Sequence, residues 1–235
     1  MTQSPQTAVI TAHGQPSAPA PAEAELAELA AQAAAYLPGW DVRSATLSAP
    51  GRLEQVTETG AVVYPFFMSQ GYFTAQVLPD RLQGRSCRIA APFGLDAGLP
   101  LLAARAVQQA AGAQGWNLDA LHLLLAAHGS ARGPKAAEAA EAYAAKLRPL
   151  LPGCRVTLGY VEQDPRISPA AAQLPARSFC LPFFAQAGDH VKRDIPDALA
   201  SAGFGGVLLP VTGALPGVPM LIAEAIRSAA GESGL

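Results

Sequence analysis

The 235-residue chain has no surplus of charge of either sign: 16 Lys and Arg stand against 18 Asp and Glu, and only 14% of residues are charged. That balance offers no electrostatic footprint for nucleic acid or an anionic membrane, so neither is expected as a partner. Cysteine is scarce as well. Cys87, Cys154 and Cys180 are an odd number at wide spacing, which argues against a disulfide framework, a zinc knuckle or a ferredoxin-type cluster, and none is expected to carry chemistry. No apolar run approaches the roughly 18 residues needed to span a bilayer, and no basic N-terminal segment leads into an apolar signal core. A cytoplasmic protein is expected. Apolar residues make up half of the chain, enough for one large α/β domain or two small ones of roughly 100–150 residues each.

Compared with itself, the chain is one unit written twice. Ala8-Val9-Ile10-Thr11-Ala12-His13-Gly14 returns as Leu123-Leu124-Leu125-Ala126-Ala127-His128-Gly129, an offset of 115. Pro38-Gly39 returns as Pro152-Gly153, and Tyr64-Pro65-Phe66-Phe67 with Gly71 returns as Leu181-Pro182-Phe183-Phe184 with Gly188, at offsets of 114 and 117. Offsets this steady need only small gaps. The boundary falls in Ala111-Gly112-Ala113-Gln114-Gly115-Trp116, dividing the chain into domains 1–117 and 118–235.

Each half alternates short apolar runs with Ala-rich segments of helical length, the pattern of βαβ units around a mostly parallel sheet. In the second half the runs predict strands over Leu121–Ala127, Arg155–Val161, Ser178–Leu181 and Gly206–Val211. A helix is expected to start near Pro134, with Ala137, Ala140, Ala144 and Leu147 on its core face, matched in the first half by Leu26, Leu29, Ala33 and Leu37.

In open parallel sheets ligands bind beyond the carboxyl ends of the strands. His128 follows the first strand of the second half, Glu162 follows the second and His190 the third. Two imidazoles and a carboxylate on one edge suit a divalent transition metal, and neutral imidazole also accepts protons near neutral pH. His122, inside the first strand, is expected to be structural. The repeat pairs His13 with His128, Ser48 with Glu162 and Phe73 with His190, so the first half keeps one polar group of three and the chemistry is expected in the second. Other chemistries lack their motifs. There is no G-x-x-x-x-G-K-[ST] for ATP, no G-x-S-x-G elbow for a serine hydrolase, and Ala127 stands where a histidine phosphatase would place an arginine.

Leu124-Leu125-Ala126-Ala127-His128-Gly129-Ser130-Ala131-Arg132-Gly133-Pro134, Tyr160-Val161-Glu162, and Leu181-Pro182-Phe183-Phe184 with Gly188-Asp189-His190-Val191 and Asp194-Ile195-Pro196 resemble the motifs of the class II chelatases. Within these the likeness is to the sirohydrochlorin cobalto- and ferrochelatases of cobalamin and sirohaem biosynthesis. The resemblance covers the second half and, more faintly, the first. It implies two tandem chelatase-like α/β domains facing each other across a cleft, and ATP-independent insertion of cobalt or iron into a tetrapyrrole. His128 and His190 would be the catalytic pair, with Glu162 completing the metal site or relaying protons. The metal (Co, Fe or Ni) would be a substrate, with no permanently bound cofactor. Ser130, Arg132, Lys135, Lys192 and Arg193 would meet the macrocycle's acidic substituents. Single-unit members act as homodimers, so the duplicated chain is expected to act as a monomeric pseudo-dimer. Two other readings stay open: a tetrapyrrole or metal carrier without turnover, and a ferrochelatase for another porphyrin.

Overall fold

The computed structural model describes residues 5–16, 19–130 and 133–232. Its strands and helices repeat in the same order. The first set is β1 (Gln6–Ala12), α1 (Pro19–Ala34), β2 (Trp40–Thr46), α2 (Arg52–Val56), β3 (Val62–Pro65), α3 (Leu78–Arg81), β4 (Arg88–Ile89) and α4 (Leu99–Ala113). The second is β5 (His122–Ala127), α5 (Lys135–Leu147), β6 (Arg155–Tyr160), α6 (Ile167–Ala171), β7 (Ser178–Phe183), α7 (Ile195–Ser201), β8 (Val207–Leu208) and α8 (Val218–Ala230). The strands form two four-stranded parallel sheets, ordered β2-β1-β3-β4 and β6-β5-β7-β8.

The central strands read as continuous apolar runs because both their faces are covered. Leu123, Leu124, Leu125 and Ala126 in β5 are buried, as are Phe179, Cys180 and Leu181 in β7. Edge strand β6 instead alternates exposed and half-buried residues before Gly159 and Tyr160. The core stripe of α5 lies where its spacing predicts, with Ala137, Ala140, Ala144 and Leu147 buried. In the first half Leu26, Ala33 and Leu37 are buried and Leu29 is half-buried.

Strands β5 and β6 are each one residue shorter than expected, and two strands differ by more than that. β7 continues through Pro182 to Phe183, and β8 is cut to Val207–Leu208. The Leu209 N–H still donates to the Cys180 carbonyl at 2.8 Å, but Pro182, the next β7 residue turned toward β8, has no N–H to donate, and its carbonyl accepts from the Thr212 hydroxyl instead. His122 opens β5 rather than sitting within it. It is half-buried and lines a groove of about 420 Å³ with Arg155, Thr157 and Gln173.

Packing groups the chain differently from the order of the repeats. One compact unit is Met1–Asp96 with Gly217–Leu235, and the other is Ala97–Pro216. The sequence halves 1–117 and 118–235 thus exchange their last helices: α8 lies against α1, β3 and β4, and α4 against α5. Arg227 donates to the Tyr36 carbonyl, Arg88 to the Ala230 carbonyl and Gln6 to Glu232. Val218, Ile222, Ala223 and Ile226 of α8 are buried. Ile226→Ala is therefore expected to cost about 2–5 kcal/mol. Its effect should fall on the first unit: hydrogen exchange would lose protection in β1 and β3 peptides while β5 and β7 stay protected, and the reverse pattern would refute the exchange. Among the described residues no helix is long and apolar enough to cross a membrane.

Candidate metal centre

Sheet order β6-β5-β7-β8 reverses direction of growth between β5 and β7, and at such a switch point the crossovers leave on opposite faces and open a crevice at the carboxyl edge. His128 directly follows β5 and His190 lies beyond β7, so the two histidines come from the strands that flank this point. Glu162 enters from the other neighbour of β5, two residues past β6. Its N–H donates to the His128 carbonyl at 2.9 Å, extending the strand pairing and bringing the loops together.

The three side chains converge. One ligand atom from each of His128, Glu162 and His190 lies within 4.8 Å of the others, and no other such group of three is found among the described residues. Bonds of about 2.0–2.2 Å place two donors on one ion at most ~4.4 Å apart, so small side-chain rotations would put all three on a single ion. The imidazoles meet edge to face, with ring centroids 4.6 Å apart. His128 Nδ1 lies 2.9 Å from the Gly129 carbonyl, which can only accept, so in the neutral ring this nitrogen carries the proton and Nε2 the lone pair. The site is partly open, with the His128 and Glu162 side chains 43% and 45% exposed.

The loop after β5 is held by Gln163, to which the sequence assigned no role, and by the conformation of Gly129. The Ser130 N–H donates to Gln163 Oε1 at 2.8 Å. Gly129 sits at φ 68°, and a Cβ there would lie 2.7 Å from Gln163 Cγ and 3.0 Å from Tyr160 Cβ, so only glycine lets the loop close on its neighbour. His190 opens a π-helical turn, His190–Asp194, and its Nδ1 lies 2.5 Å from Asp194 Oδ2. Asp194 stands in the quoted motif, yet the sequence alone assigned it no role.

The first repeat builds the same corner with one of the three donors, His13. The Ser48 N–H donates to the His13 carbonyl at 3.0 Å, Gly14 has φ 77°, and Phe73 opens the matching π turn, Phe73–Val77. The His13 and Phe73 rings lie 4.3 Å apart, close to the spacing of the two histidines in the second repeat. Partial burial holds the His13 imidazole below its ordinary pKa. Here the loop after β2 is tied structurally: Arg81 forms two hydrogen bonds to Glu54, at 2.5 and 2.7 Å, and one to the Leu47 carbonyl.

Of the expected substrate-binding cations, Lys135 opens α5, and Lys192 and Arg193 lie in the π turn of His190; all three are exposed. Arg132 lies outside the described residues. Burial raises all three thiol pKa values, Cys154 to about 11 and Cys180 to about 12, which keeps them protonated and poor as nucleophiles or ligands at neutral pH.

Residues 122–231 match the CbiX family. A solved structure described as CbiX, the terminal enzyme for biosynthesis of siroheme in denitrifying bacteria, is 44% identical, covers 95% of this chain and 99% of its own, and superposes with a TM-score of 0.88. The fold is also that of SirB from Bacillus subtilis with Fe3+, at 16% identity, TM-score 0.74 and 96% coverage of both chains. DR2241 from Deinococcus radiodurans, a multi-domain protein with structural similarity to chelatases, is 22% identical with a TM-score of 0.69, over 96% of this chain and 55% of its own. No curated protein sequence matches.

Proposed function

Because this chain belongs to the CbiX family of chelatases, we propose that it inserts a divalent metal, cobalt or iron, into sirohydrochlorin without ATP. The observation that carries this reading is the convergence of His128, Glu162 and His190 at the sheet's switch point. Insertion requires a hydrated ion to shed water and two pyrrole N–H protons to leave as the metal–nitrogen bonds form. A cluster of neutral imidazoles and a carboxylate serves both needs: it replaces water on the ion and then accepts the departing protons. Glu162 adds negative charge that favours the dication, and partial exposure of the site gives the protons an exit to solvent. The ligand set is borderline in softness, so it accepts nickel as well, and metal supply decides among them.

Sirohydrochlorin is rich in carboxylates, and the exposed Lys135, Lys192 and Arg193 stand on the two segments that carry the histidines. Together with Ser130 and Arg132 they are proposed to meet those carboxylates. The decisive assay incubates the purified protein with sirohydrochlorin and Co(II), Fe(II) or Ni(II) in turn and follows the absorption of the metallated product. Insertion is expected without ATP and well above the uncatalysed rate. Binding of sirohydrochlorin with no acceleration would favour a carrier, and efficient metallation of protoporphyrin with none of sirohydrochlorin would reject the assigned substrate.

A further inference from the structure

We propose that Asp194 is a positioning residue for His190: its carboxylate accepts the Nδ1–H and thereby presents the Nε2 lone pair to the incoming ion. This rests on the reading of His190 as a metal ligand. Three observations converge on it. The first is the short Nδ1 to Oδ2 distance of 2.5 Å between residues four apart in the π turn. A carboxylate can only accept, so in the neutral imidazole the single proton sits on Nδ1 and Nε2 keeps its lone pair.

The second is the backbone around the pair. Asp194 is itself helical (φ −65°, ψ −39°), and the π turn runs on into α7 with the Ile195 N–H donating to the His190 carbonyl, so no free N–H there competes for the carboxylate, which meets the imidazole one turn back. The third comes from the repeat. At the offset that pairs His190 with Phe73, Asp194 pairs with Val77, while the π turn itself is kept in both halves. The carboxylate is absent where the histidine is absent, so the turn's backbone does not depend on it.

With side chains 37% and 51% exposed, the pair is screened by water, so charge attraction contributes less than geometry. Loss of the acceptor frees the ring to rotate and to exchange tautomers. Outer-shell partners of this kind change metal affinity by about 10–100-fold.

Two readouts test the assignment. Ring 15N spectra of the metal-free protein, at a pH where imidazole is neutral, should show His190 as the Nδ1–H tautomer in the wild type and a mixture in Asp194→Ala. Titration with Co(II) alone, followed by its visible absorption, should show the dissociation constant raised about 10–100-fold in Asp194→Ala. Asp194→Asn, whose amide oxygen still accepts the Nδ1–H, should recover part of both. An unchanged tautomer, or wild-type Co(II) affinity in folded Asp194→Ala, would overturn the assignment. If the wild-type protein itself bound no Co(II), the metal-centre reading would fall, while the tautomer, read without metal, would still decide the role of Asp194.

Discussion

His128→Ala and His190→Ala are each expected to lower metal insertion by about 100-fold or more, the scale on which a positioned acid–base group acts, whereas His13→Ala keeps a substantial fraction of the activity. Each substitution in the second repeat removes a donor from a group whose ligand atoms lie within 4.8 Å of one another. The ion then keeps more of its water, and one acceptor for the pyrrole protons is lost. The double variant should fall little below the single ones, because residues that act as a unit are not additive. His13, by contrast, faces the Phe73 ring at 4.3 Å with Ser48 in the place of the glutamate, so its removal costs a packing contact and no ligand set. Steady-state kinetics on the three purified variants decides the matter. A result in which His13→Ala is the most damaging and the other two are mild would move the site to the first repeat.

The double variant Ser48→Glu, Phe73→His should bind a second equivalent of Co(II). The scaffold for it already exists. Both repeats have a glycine with positive φ after the first strand, a backbone hydrogen bond from the Ser48 or Glu162 position to the preceding histidine, and a π turn that opens on the third position. Ring separations of 4.3 and 4.6 Å show that the two corners have nearly the same width. Burial lowers the pKa of His13, which favours the neutral imidazole that binds metal at neutral pH. Affinity at the new corner should rise when Val77→Asp is added, since this supplies the carboxylate that the first repeat lacks. Equilibrium dialysis with metal analysis measures the stoichiometry: one ion per wild-type chain and two per variant are expected. A folded variant that still binds one would mean that the donors, though correctly typed, do not converge in the first repeat.

The placement of the trio was legible in the sequence because it follows from topology. Parallel strands direct their carboxyl ends to one edge, so a histidine after β5, a glutamate after β6 and a histidine after β7 arrive at one place by chain order alone. Internal duplication then acted as a control, since the same edge could be read with Ser48 and Phe73 in two of the three positions. Asp194 and Gln163 were not assigned roles for the opposite reason. An aspartate before a helix ordinarily reads as a cap, and a glutamine in a loop as solvated; only in the folded chain does one meet His190 Nδ1 and the other accept from the Ser130 N–H.

The sequence by itself determined the two parallel sheets, the core faces of α1 and α5 with Leu29 at the margin of the first, and the repeat that carries the polar edge, because periodicity and strand order are properties of the chain taken in order. Tertiary structure alone decided which unit each terminal helix joins, with α8 against β3 and β4 of the first sheet and α4 against α5 in the second unit. Hydrophobic burial is non-directional, and the apolar stripes of these two helices are alike; their periodicity says which face is covered and nothing about by whom. Packing chose the partner, just as it chose which nitrogen of His190 meets a carboxylate and which is left for a ligand.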